Sequence, residues 1–147
     1  MKAACVAKTV PDGIVLGADT IVVIDGLVLG KPVDGADAIR MLGLLGGRTH
    51  TVYTGFALID RPSDRSVCGV EATRVTFRTI PREEIEEYVR GGSPMDKAGA
   101  YGIQDDYGAV FVTRLEGCYY NVVGLPLARV FLELQKLLES NAPPSLP

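Results

Sequence analysis

Apolar residues along this chain switch between two periods, and the switches mark out its elements. Residues 14–24 (IVLGADTIVVI) form a β-branched apolar run, broken only by a Gly-Ala-Asp-Thr step, and predict a buried strand. Asp25-Gly26 supplies a tight hairpin, and Leu27, Val28 and Leu29 a short return strand. From Asp34 to about Leu45 the period becomes helical, with Ala38, Ile39, Leu42 and Leu45 on one face, Asp34 as N-cap and Gly46-Gly47 as the stop. Residues 50–60 and 67–80 are rich in Val, Thr, Tyr and Phe and flank the turn-forming RPSDRS, which predicts a long antiparallel pair. A short helix follows with Pro81 in its first turn. Glu83 and Glu84 sit at its positive end, Ile85, Tyr88 and Val89 form its apolar face, and Gly91-Gly92 ends it. After a loop over 93–107, residues 109–115 predict a strand. From Pro126 a last helix carries Leu127, Val130, Phe131, Leu134, Leu137 and Leu138 as one amphipathic stripe, and the closing SNAPPSLP (140–147) reads as a flexible tail. Strand, helix, two strands, helix, strand, helix is the order of an α/β domain with helices against a sheet.

Composition narrows the possible classes. A length of 147 residues with 47% hydrophobic content suits one domain with a real core. Fifteen basic against eighteen acidic residues, a net charge of -3, argue against a general nucleic-acid binder but leave room for a small phosphorylated ligand. Cys5, Cys68 and Cys118 are odd in number and in no metal or redox spacing, so a reducing compartment is expected. No apolar stretch nears the roughly 18 residues that span a bilayer, and the expected location is the cytoplasm, without a membrane partner.

Three places carry candidate chemistry. Asp19 follows apolar 14–18 and precedes apolar 21–24, where an unpaired carboxylate is costly to bury, so a partner is expected. A divalent cation is one possibility, since Mg²⁺ takes one or two carboxylates completed by water and phosphates; a turn cap at a bulge is the other. Lys31, fixed between Gly30 and Pro32, is either a phosphate contact or a solvated surface lysine. The stretch from Asp96 and Lys97 to Gln104 (DKAGAYGIQ) joins small residues to a carboxylate, an ammonium and an amide, and reads as a binding loop or as a glycine-rich connection packed on the sheet. His50, the single histidine, reads as structural, and the cysteines as small hydrophobes.

The segments GADTIV, LGKPVD, AIRMLGLLGGRTHTVYTGFAL, TRVTFR, EIEEYV, PMDKAGAYGIQ and YNVVGLP resemble, in order and spacing over residues 2–138, the Maf-like nucleoside triphosphate pyrophosphatases. The resemblance implies a mixed, twisted sheet flanked by helices, like that of the inosine-triphosphatase-like enzymes, in a domain over 1–139. It implies cleavage of a nucleoside triphosphate to the monophosphate and pyrophosphate with a divalent cation, Mg²⁺ or Mn²⁺. Asp19 would be the proton acceptor and metal-side carboxylate; Lys31 and Lys2 would contact the phosphates, and Asp96 and Lys97 would belong to the same site. Thr20 and Gln104, beside the base, look like those of the branch acting on dTTP and UTP, and an amide can both donate to and accept from a uracil edge.

Members of that family open on a strand ending in a Ser-x-Ser-Pro-Arg-Arg loop, whereas this sequence starts at the Lys2-Ala3 pair. The resemblance therefore implies a domain shortened at its amino end, with an exposed edge beside 14–24 and weak activity. It also implies a homodimer. The contrasting functional class is a non-catalytic nucleotide-binding or division-regulating module, which would bind triphosphates without turnover.

Overall fold

The computed structural model describes residues 2–139, and of Lys2 and Asp106 only the backbone; the expected tail over 140–147 lies outside the described residues. The apolar run becomes β1 (Gly13–Ile24). Asp25 and Gly26 both take positive φ, 49° and 76°, as a two-residue hairpin turn requires, and lead into β2 (Leu27–Leu29) with Val22 opposite Leu29. In α2 (Gly35–Leu45) the Asp34 carboxylate accepts the Asp37 amide at 2.8 Å. This helix buries Ala38, Met41, Leu42 and Leu45. Leu42 and Leu45 are wholly enclosed, so truncating either to alanine costs roughly 2–5 kcal/mol.

β3 (Thr49–Arg61) and β4 (Ser66–Phe77) form the long antiparallel pair, in unbroken register from Thr49 opposite Thr76 to Ile59 opposite Ser66. In α3 (Arg82–Arg90), Pro81 takes the cap position rather than the first turn. Ser93–Asp96 and Ala98–Ala100 are single 3-10 turns. The expected strand over 109–115 starts later: α4 (Asp106–Ala109) comes first and β5 (Val112–Glu116) follows. The reason is local, because the Ala109 amide bonds Asp105 O at 2.8 Å and that of Phe111 bonds Gly108 O at 3.3 Å, donors a strand would direct outward. Phe111 is instead fully buried in the main core. Two more helices, α1 (Lys2–Ala7) and α5 (Tyr119–Val123), are too short to carry a readable period. α6 (Leu127–Glu139) buries Val130 and Leu137, whereas Leu127, Phe131 and Leu138 of the predicted stripe stay about half exposed. The apolar arc of this helix is wider than the strip of β3 and β4, chiefly Phe56, Leu58 and Val67, that it covers.

The sheet runs β2-β1-β3-β4-β5, and every pairing is antiparallel. The α/β class is as expected. The parallel pairing of a mixed sheet does not occur among the described strands, because each connection returns the chain at the end where the previous neighbour finished. Alternation sends Val22, Val52 and Val75 toward α2 and α3, and Phe56 and Leu58 of the same face toward α6. On the opposite face Val15 and Ala57 meet α1. There Gly17 is needed for close approach, since a Cβ on it would lie 2.6 Å from that of Ala3. Because β2 pairs only with residues 22–24, the outer edge of β1 over 13–21 has no strand partner among the described residues. No described helix is long and apolar enough to cross a membrane.

Candidate active site

A cleft of about 390 Å³ opens where the middle of β1 meets the turn after β2, the 3-10 turns and α5. Asp19, Thr20, Lys31, Asp96, Lys97 and Gln104 all line it. Backbone conformation brings these stretches together. Gly99, at φ +72°, lies so close to Val22 that a Cβ there would meet its Cγ2 at 2.9 Å. Its amide bonds Gly30 O at 3.0 Å, tying the Lys97 loop to the Lys31 turn.

Asp19 corrects the reasoning from burial. It is exposed, with the Thr20 amide on its Oδ1 at 3.2 Å as its one hydrogen-bond partner among the described residues, so desolvation demands no partner. β1 pairs with β3 without interruption from Gly13 opposite Arg61 to Val23 opposite Thr51, so no bulge accompanies Asp19 either. Strict alternation turns Thr20 to one face of β1 and Asp19 to the other. Asp19 stands on the rim, lining both the cleft and a second, largely apolar concavity of about 450 Å³ that includes Ala3, Gly17 and Val70. Gly55, opposite Asp19, leaves the space beside its carboxylate open. The Lys2 side chain lies outside what is described.

Lys97 is the best-held charge in the cleft. Its Nζ donates to Ser93 O at 2.8 Å and to Asp96 Oδ1 at 2.9 Å, and lies 3.5 Å from Asp105 Oδ2. Partial burial works to lower its pKa, but the hydrogen bond to Asp96 and the charges of Asp105 and Asp96 outweigh this and hold it above the ordinary lysine range. Asp96 is held below the usual carboxylate range by the Lys97 hydrogen bond and charge, with a smaller contribution from Lys31. Lys31 itself is exposed in its turn, and the exposed Gln104 amide has no hydrogen-bond partner among the described residues.

Sequence reasoning missed the residues that organise this loop. Asp105 accepts from Ser93 Oγ at 2.7 Å and from Tyr88 Oη at 3.3 Å, while Tyr88 Oη accepts the Gly102 amide at 3.3 Å. Asp105 directly follows Gln104 and would have been found by carrying the polar run one residue further. Behind the cleft, Tyr101 Oη and His50 Nε2 are 2.8 Å apart, with Phe77 edge-on to both rings. Burial pushes the His50 pKa down to about 4 and that of Tyr101 up, so both stay neutral and His50 is structural, as its sequence context implies.

Residues 1–137 match the profile of a family described as Maf-like protein. The chain is similar to the dTTP/UTP pyrophosphatase of Carboxydothermus hydrogenoformans, at 50% identity over 135 residues, 92% of this chain and 72% of the relative. It is likewise similar to the dTTP/UTP pyrophosphatases of Chlorobium phaeovibrioides, at 53% over 126 residues (86% and 64%), and Bacillus cytotoxicus, at 52% over 135 residues (92% and 69%). It thus spans between 64% and 72% of the length of these curated relatives. With the profile matched over residues 1–137 and half the aligned positions identical, the chain belongs to the Maf-like protein family.

Proposed function

We propose that this chain hydrolyses dTTP and UTP to the nucleoside monophosphate and pyrophosphate, a house-cleaning reaction of nucleotide metabolism, with residues 1–139 as the working domain. One observation carries the reading: a single cleft gathers two carboxylates, two ammonium groups, an amide and a threonine hydroxyl from separate stretches of a chain about half identical to dTTP/UTP pyrophosphatases.

In this reading Lys31 and Lys97 meet phosphate oxygens as point charges, and the triphosphate takes over contacts that Asp96 makes with Lys97. Lys2 joins them from the start of α1. Asp19 orients a water and takes its proton as the water oxygen bonds to phosphorus; the α–β anhydride bond breaks and pyrophosphate leaves with the electron pair. Thr20 and Gln104 meet the base. A divalent cation fits the donor set in one way. No group of three or more His, Cys, Asp or Glu among the described residues forms a cage, but the exposed Asp19 carboxylate suits Mg²⁺ or Mn²⁺ completed by water and substrate phosphates. Such an ion, when bound, withdraws charge from the phosphates.

The unpaired thiols Cys5, Cys68 and Cys118 support a reducing, cytoplasmic setting. The exposed Leu127, Phe131 and Leu138 of α6 support a homodimer, which sedimentation would measure. The net charge of -3 supports a small anionic substrate over nucleic acid. Pyrophosphate release from dTTP, UTP, CTP, ATP and GTP with Mg²⁺ or Mn²⁺ tests the function. Turnover led by dTTP and UTP is expected, and no turnover of any triphosphate overturns it.

A further inference from the structure

Thr20 enters the cleft with the polarity of its hydroxyl already decided, by residues that do not line the cleft. Its Oγ1 lies 2.8 Å from Oγ1 of Thr54, its direct neighbour across β1 and β3. Thr54 is fully buried, and its Oγ1 lies 3.0 Å from the carbonyl oxygen of Asn121 in α5. A carbonyl only accepts, so Thr54 gives its single proton there. The contact between the two threonines must then be made with the proton of Thr20. What remains on Thr20 Oγ1 for the cleft is lone pairs alone.

The Asn121 carbonyl is itself held. Asn121 is fully buried, and its Nδ2 donates to Val52 O at 3.2 Å and to Thr73 Oγ1 at 2.8 Å. Thr73 sends its own proton to Cys118 O at 3.3 Å and accepts the Cys118 amide at 3.0 Å. A flipped Asn121 amide would set its oxygen against the Val52 carbonyl, so its orientation is fixed.

We infer that Thr54, oriented by the Asn121 carbonyl, is a specificity-determining positioning residue: it makes Thr20 a pure hydrogen-bond acceptor, so the base edge against Thr20 must carry an N–H. The inference rests on triphosphate hydrolysis at this cleft. Uracil and thymine offer an imide N3–H, whereas cytosine has a bare N3 and donates on that edge only through its exocyclic amine, so an acceptor facing N3 separates the two.

The experiment measures kcat/KM for UTP and CTP in the wild type, Thr54→Val and Thr54→Ser. Valine keeps the shape of Thr54 but frees the Thr20 proton for the ligand, and the UTP-to-CTP ratio falls by about tenfold or more; serine keeps the hydroxyl and restores the ratio. Should Thr54→Val fail to fold, Thr20→Val removes the acceptor from the cleft end, and the same fall is expected. A wild type that turns over neither nucleotide brings down the proposed function and this inference with it. A wild type that prefers UTP, with a ratio unchanged within twofold in the folded valine variant, overturns the role of Thr54 alone.

Discussion

The sheet side of the cleft is neutral and sealed, whereas the loop side is charged and half open. On the sheet side Thr54, Thr73 and Asn121 are fully buried, and their donors are spent on one another and on backbone carbonyls. On the loop side Lys97 and Asp105 keep 24% and 21% of their side-chain surface in solvent, and the pair is wide, at 3.5 Å. The sheet-side arrangement is held because both Asn121 amide protons have acceptors here, and turning the amide over would bring Oδ1 against the Val52 carbonyl. Ion pairs still open to solvent contribute little and exchange partners easily. The first material suits reading a base; the second suits gripping and releasing phosphates.

Asp19, on the rim between the two, offers the largest test. Asp19→Asn is expected to lower kcat by on the order of 10²–10⁴ through loss of the proton acceptor, with thermal stability essentially unchanged because the side chain is exposed. Near-normal turnover in a folded variant removes Asp19 from catalysis.

Next in size is the pH response of the core behind the loop. His50 titrates at about 4 when folded against an ordinary 6.5, so between these values the unfolded chain binds more protons. The stability this confers is fully present above pH 6.5 and is lost as pH falls toward 4, about 3 kcal/mol in all. Denaturation curves across that window should flatten in His50→Leu; an equally steep loss in the variant assigns the effect elsewhere.

Asn121→Ala sharpens the contrast from the sealed side. It removes the amide's bonds to Val52 O and Thr73 Oγ1, with an expected loss of roughly 1–3 kcal/mol in urea unfolding. The smallest effect belongs to the open side, where Asp105→Asn should change stability by under about 1 kcal/mol and KM by less than about fivefold. If Asp105→Asn destabilised more than Asn121→Ala, the contrast between the two sides would be inverted.

The sequence made local features legible and distant ones not. The Asp25-Gly26 hairpin, the Asp34 cap and the long β3–β4 pair each depend on neighbours within a few positions, and each is where its residues predict it. Of the stretches that line the cleft, 96–104 stands out for small residues joined to charges, Asp19 for its apolar neighbours and Lys31 for its turn, whereas Val122 and Val123 of α5 carry no such mark. Burial of Asp19 was misjudged because an apolar run was read without its register. Among the described residues β1 has no strand along its outer edge over 13–21, and even Ile21 is 36% exposed. The hydroxyl relay was invisible because Thr20, Thr54 and Asn121 are far apart in the chain and each looks ordinary alone.

Among the described residues one backbone hydrogen bond joins the Lys31 turn to the Lys97 loop. Since Gly99 N–H donates to Gly30 O, and Gly99 leans on Val22, the Lys31 turn and the Lys97 loop part only by breaking that bond. The parting of the two stretches is therefore reported by the hydrogen–deuterium exchange of one glycine, whose protection factor follows the opening equilibrium at each nucleotide concentration without any label in the site.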